Sequence, residues 1–181
     1  MDLQKIGIKF FLKNEKSFSS KEYIPLFHQW IQNKSISDHL LIDVADYSHV
    51  LDGPGVMLMA HEGHFSLDQE GLAPGMLYMR KMDLEGDFSA RFFKVFSITL
   101  EVVKLLTQKD LEFCQKSFRF IANDRRLAEN NIENQNLYKE KISKILHGKY
   151  SNQSWEFDDE SKENERLAFS VNFTSSINLL I

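Results

Sequence analysis

Cysteine occurs once in the 181 residues, as Cys114. A lone thiol closes no internal disulfide, so the chain is not a disulfide scaffold. Glycine and proline are scarce as well, 8 and 3 residues, where roughly 12% of a chain is usual, and this excludes collagen-like and low-complexity classes. No stretch approaches the roughly 18 uncharged apolar residues of a membrane span. Even the most apolar segment, 87–107, carries Arg91, Lys94, Glu101 and Lys104. Positive charge is also short, 22 Lys and Arg against 26 Asp and Glu for a net charge of −4. A basic stripe able to neutralise phosphates is therefore missing, and nucleic acid is not expected as a partner. The start Met1-Asp2-Leu3-Gln4-Lys5 lacks the basic and apolar regions of a secretory signal, so the chain reads as cytoplasmic. The N-x-S/T matches at Asn33, Asn152 and Asn172 then carry no meaning.

What is present is core material: 43% hydrophobic residues, among them 15 phenylalanines. At this length one domain buries about 70% of the surface its unfolded chain exposes. Six of the glycines, with Pro54 and Pro74, fall between residues 53 and 86. Turn residues at that density divide short apolar segments at 40–50, 56–67 and 76–82, and a three-strand antiparallel meander follows. Residues 5–13 read as an earlier strand. Ser19 and Glu22 match a capping box, with Phe18 and Tyr23 as a hydrophobic staple, ahead of a helix carrying Ile24, Phe27, His28 and Ile31. Pro25 conflicts with that start and predicts a kink or a later one.

From Asp87, a helix N-cap, to about Gln108 runs a long helix with a stripe of Phe88, Phe92, Val95, Phe96, Leu100, Val103 and Leu106, widened by Phe93, Ile98, Val102 and Leu105. The second half alternates again: a strand over 117–122, a turn at 123–126, a helix from about 130 to 147 stopped by Gly148, and strands near 154–157 and 166–173 around the charged stretch 158–165. Both halves, about 1–86 and 109–181, thus read as β-α-β-β units joined by the long apolar helix, with an extra strand in the first. The fold class expected is α+β, a single two-layer domain with a mixed, largely antiparallel sheet and helices packed on one side.

The segments Ile24-Pro25-Leu26-Phe27-His28-Gln29-Trp30-Ile31, Leu41-Ile42-Asp43-Val44-Ala45-Asp46-Tyr47-Ser48-His49-Val50, Asp52-Gly53-Pro54-Gly55-Val56, His61-Glu62 and Asn123-Asp124-Arg125-Arg126-Leu127-Ala128 carry a resemblance. Through them the chain resembles, over nearly its whole length, a family of uncharacterised bacterial proteins. Leu51 stands where that pattern leads one to expect proline. The resemblance implies a single-domain bacterial protein and brings no activity, cofactor or catalytic residue with it.

The densest polar cluster is Asp43, Asp46, Tyr47, His49, His61, Glu62 and His64, with Asp68 beyond it. Imidazoles beside carboxylates suit a metal ion or a general acid/base pair, so Asp43, Asp46, His49, His61, Glu62 and His64 are the catalytic candidates. Spacing argues against a closed metal site. His61 and His64 have opposite parity on a regular strand, and His-Glu-Gly-His lacks the i,i+4 repeat of H-E-x-x-H sites. A turn over 51–55 that pairs His49 near Met57 sets Ala45 opposite His61 and leaves His49 about four residues away along the ladder. No metal and no cofactor is expected. Arg125 and Arg126, between a strand and a helix, are candidates for clamping a carboxylate or phosphate. Asp52-Gly53-Pro54-Gly55 is followed by an apolar strand, which makes it a turn and not a phosphate loop. Met57, Met59, Met76, Met79 and Met82 read as adaptable core filling. Cys114, beside Phe113, reads as an inert core thiol.

The function expected is a cytoplasmic, non-enzymatic binding or assembly module of unknown small-molecule ligand. A metal-dependent or acid/base enzyme using the 43–64 cluster is the alternative. The breadth of the apolar stripe on the 87–108 helix further predicts a cover, either the Asn178-Leu179-Leu180-Ile181 tail or a second copy in a homodimer built on Phe92, Phe93 and Phe96.

Overall fold

The structure is a computed structural model and describes residues 3–13, 18–159 and 165–176. The 178–181 tail and most of the charged 158–165 stretch lie outside the described residues. Among the described residues eight strands and three α-helices follow one another in the order β1 (Ile6–Phe11), α1 (Ile24–Asn33), β2 (Leu41–Tyr47), β3 (Gly55–Ala60), β4 (Gly63–Asp68), β5 (Gly75–Arg80), α2 (Phe88–Thr107), β6 (Ser117–Ala122), α3 (Ile132–Lys149), β7 (Trp155–Asp159) and β8 (Ala168–Phe173). The strands form one sheet, ordered β2-β3-β4-β5-β1-β6-β8-β7. Every neighbouring pair is antiparallel. This is an α+β domain whose halves share one path: a central strand, a helix to the far edge, and a return of hairpins. The halves meet where β1 pairs with β6.

Alternation along each strand sends one set of side chains to the helices. Ile6, Ile8 and Phe10 of β1, Phe65 and Leu67 of β4, and Phe118 and Phe120 of β6 are fully buried there. Above them α2 supplies Phe92 and Phe96, so that Phe10 and Phe96 meet edge to face at 5.4 Å and Phe96 and Phe118 at 5.1 Å. Asp87 caps α2 by accepting from the Ala90 amide at 2.8 Å.

Three sequence expectations need correction. Residues 56–67 are two strands, not one, because the chain reverses at His61-Glu62, and the meander therefore has four strands. Ser19 makes no side-chain cap; a 3-10 turn at Ser20–Tyr23 precedes α1, which starts with Pro25 in its first turn, where a missing amide costs nothing. Helix α3 runs through Gly148 to Lys149.

The surplus apolar surface of α2 is met largely within the chain. Phe88 packs on Tyr138 of α3 with ring centroids 5.4 Å apart, and on the opposite flank Glu101 accepts from the Ser37 hydroxyl at 3.0 Å beside the buried Ile36. Phe92 and Phe96 are core residues, so neither is available to an aromatic interface with a second copy. Phe93 is half-buried, with the Lys149 ammonium 5.6 Å from its ring centre.

Candidate functional site on the helix-free face

The strand β4 reads Gly-His-Phe-Ser-Leu-Asp. Phe65 and Leu67 enter the core, so His64, Ser66 and Asp68 project from the opposite face of the sheet. The pairing registers then set Met57, Ser66, Leu77 and Lys9 in one row across β3, β4, β5 and β1, and Met59, His64, Met79 and Gly7 in the next. A polar row on an uncovered sheet face would be wet. Here Lys9, Ser66, Asp68 and Leu77 are all at most 7% exposed.

Two turns help enclose this face. The 48–54 turn joins β2 to β3, and the 69–74 turn joins β4 to β5. They are tied together where the Gln69 amide donates to the Gly53 carbonyl at 3.0 Å. The Gly71 amide also donates to Asp52 Oδ1. Gly71 sits at φ 74°, a left-handed conformation that glycine adopts at no steric cost. Below these turns lies a cavity of about 350 Å³. Met57, Leu77 and Met79 give it an apolar floor, His64, Ser66 and Asp68 enter it from β4, and Asp52, Glu70 and Arg166 stand around it.

Behind the cavity wall the Lys9 ammonium is completely buried. It donates to Asp68 Oδ2 at 2.5 Å and to the Glu70 carbonyl at 3.2 Å. Burial pulls the Lys9 ammonium below the ordinary lysine range, and the charge and hydrogen bond of Asp68 oppose that pull. Arg119, next to Lys9 in the row on β6, adds to the lowering. The Asp68 side chain itself lines the cavity. The Nδ1 of His64 is sealed from solvent and makes no hydrogen bond. Burial first, and the Lys81 charge second, hold the His64 imidazole below its usual range, so it is neutral at pH 7. An orphaned buried nitrogen costs about 1–3 kcal/mol. At the rim Arg166 donates to Asn123 Oδ1 at 3.3 Å and to Glu70 Oε2 at 3.4 Å.

Of the six catalytic candidates His64 alone reaches this cavity, joined there by Asp68, which the sequence placed beyond the cluster. His61 is exposed at the tip of the β3–β4 hairpin, and His49 is exposed in the 48–54 turn. Asp43 projects from the helix-free face but stands beyond Met59, at the sheet edge. Asp46 is committed to Ser48, whose hydroxyl and amide donate to it at 2.5 and 2.9 Å and hold its carboxyl below the usual range. Glu62 accepts from the Leu40 amide at 2.8 Å and so ties the hairpin to the start of β2. Met57 pairs with Ala45, not with His49, and Val44 with Leu58. The ladder is thus shifted four residues from the one that would bring His61 opposite Ala45. Among the described residues no three His, Cys, Asp or Glu side chains stand close enough to share a metal ion. Arg125 and Arg126 are exposed, and the turn they occupy is organised by Asp124, whose carboxylate accepts from the amides of Arg126 and Leu127.

Sequence reasoning missed Lys9, Ser66, Glu70 and Arg166, and assigned Met57 and Met79 to the core. The signal that would have found Lys9 and Ser66 is alternation itself: each is a polar residue between two buried apolar neighbours on a strand.

Two other polar assemblies lack this convergence. A cavity of about 440 Å³ lies near the end of α2, beside Val103, Thr107, Phe113 and Cys114. Its charged Lys13, Glu112 and Lys116 are exposed, and the first two pair with each other at 3.1 Å, so no buried charged group converges on it. On the helix side the Tyr78 hydroxyl lies 2.8 Å from His39 Nε2 and accepts from Arg80 at 3.3 Å, while Arg80 Nε donates to the Met82 carbonyl. That network is satisfied within itself. It anchors the start of β2 to β5.

His64, Ser66 and Asp68 are spaced about 7 Å apart along one strand, and no hydrogen bond links them. They form no proton relay. They present polar groups to the cavity at three separate points. No model of a known protein family and no curated protein matches this chain.

Proposed function

We propose that this chain is a cytoplasmic, non-enzymatic binding module whose small-molecule ligand occupies the cavity between β3, β4, β5 and the two turns on the helix-free face. The observation that supports this reading best is the junction of an apolar floor with His64, Ser66 and Asp68, the last paired with the buried Lys9. Enclosed apolar space with a few placed polar atoms is the general form of a ligand site. The volume, about 350 Å³, matches the small end of such sites. The reading as a metal-dependent or acid/base enzyme on the 43–64 segment has less behind it, since only His64 of its candidates borders the cavity. The site is built from one chain and does not require a second copy.

Two of the six methionines line the cavity, and this supplies the test. With the methionine ε-methyl groups labelled with carbon-13, single-ring aromatic compounds are added at millimolar concentration. The methyl signals of Met57 and Met79 are expected to move for some of them, while that of Met82, exposed and outside the cavity, stays. Compounds that move no signal, or move Met82 and Met57 alike, would contradict the proposal.

A further inference from the structure

We propose that the outer edge of β2 is an interaction surface whose occupant is a second copy of this chain, paired antiparallel across a twofold axis at Ala45. Strand β2 ends the sheet, and among the described residues no strand pairs with its outer edge. The Val44 amide donates to the Asp43 carboxylate at 2.8 Å, so it points away from β3. Backbone hydrogen-bonding groups alternate sides along a strand, and Asp46 therefore presents its amide and carbonyl to the same open edge.

An open edge is a template for another strand, and chains usually blunt it with charge. The two edges of this sheet are blunted unequally. Strand β7 reads Trp-Glu-Phe-Asp-Asp, and pairing it with itself about Phe157 sets Glu156 opposite Asp158, which is unfavourable. In β2 the ladder with β3 is regular from Asp43 to Tyr47, and the middle residue of that segment is Ala45. A twofold axis there lays the segment fully upon its copy: Ala45 faces Ala45, Val44 faces Asp46, and Asp43 faces Tyr47. No like charges stand opposite each other. The outward amides and carbonyls of Val44 and Asp46 then exchange hydrogen bonds across the axis.

The flanks of the strand favour a copy of the same chain over an unrelated strand. Leu40 and Ile42 at its start, and Val50 and Leu51 beyond its end, are 64%, 57%, 40% and 89% exposed. The same axis carries the leading pair of one copy to the trailing pair of the other, which is the self-complementarity of an isologous interface. A short ladder with four apolar side chains from each copy lies below the size of permanent dimers, so the dissociation constant expected is about 10–100 µM.

The test uses cysteines placed by the register, in a Cys114→Ser background that removes the lone native thiol. Residues facing each other across an antiparallel pair lie within disulfide reach, so Ala45→Cys should cross-link to itself on oxidation at about 100 µM. Asp43→Cys alone should not, being about 13 Å from its own copy along the ladder. An equimolar mixture of Asp43→Cys and Tyr47→Cys should give the mixed dimer. By sedimentation the native chain should pass from the mass of one chain toward that of two between about 5 and 500 µM, and Ile42→Lys with Leu51→Lys should raise the dissociation constant about tenfold or more. A single-chain mass throughout, Asp43→Cys cross-linking as readily as Ala45→Cys, or a dimer indifferent to the two lysines would each overturn the proposal.

Discussion

Lys9 and Asp68 are an expensive pair for a strand face to keep. Moving two charges out of water costs several kcal/mol each, and replacing a buried pair by apolar residues of similar volume is often neutral or stabilising, whereas removing one partner costs about 3–5 kcal/mol. Stability alone therefore does not account for the pair, and its product is a carboxylate held at the cavity wall. His64 makes a complementary statement through pH. Burial lowers its folded-state pKa below the unfolded value of 6.5, so on acidification the unfolded chain takes up the proton first. The stability that depends on neutral His64 is complete above about pH 6.5 and is lost as pH falls through the lower folded value. Urea unfolding midpoints measured between pH 7.5 and 5 should fall more steeply for the native chain than for His64→Gln, with the other titrating groups common to both. Parallel curves would contradict the placement of His64.

At the scale of elements, legibility followed the presence of local signals. Helix α2 could be read because Asp87 is a capping residue and the apolar stripe repeats at helical spacing; the structure starts the helix at Phe88 and ends it at Thr107. Strand β6 occupies the residues read for it, because polar Ser117 and Arg119 alternate there with Phe118 and Phe120. The reversal at His61-Glu62 was hidden because apolar-rich segments flank it on both sides and only Gly63 marks it. Gly63 leaves no room for a side chain, since a Cβ would press on Met79 backbone and on the Tyr78 ring. The site was hidden for a different reason. A polar residue alternating on a strand normally means a solvated face, and nothing local tells that turns at 48–54 and 69–74 return to enclose Lys9, Ser66 and Asp68. Burial of the second face is decided by contacts distant in sequence, and His64 was found only because histidine attracts notice.

For the molecule as a whole, the central pairing of β1 with both β5 and β6 joins the two halves into one sheet. Unfolding either half would strip β1 of hydrogen bonds on one edge, so a single cooperative transition is expected. Trp30 reports the first half and Trp155 the second; Trp30→Phe and Trp155→Phe proteins should therefore show coincident fluorescence midpoints in urea once corrected for each variant's stability by circular dichroism. Separate midpoints within one protein would mean two folding units. The sheet has two employed faces, one carrying the helices and the aromatic core, the other the cavity. The most direct test of this division is to fill the cavity from its floor. Ser66 lies between Met57 and Leu77 in the row, and Ser66→Leu occupies the space with apolar volume while leaving the helix side untouched. The account predicts that a single-ring aromatic compound that shifts the Met79 methyl signal in the native chain fails to shift it in Ser66→Leu, with the variant at least as stable; an equal shift in both proteins would contradict it.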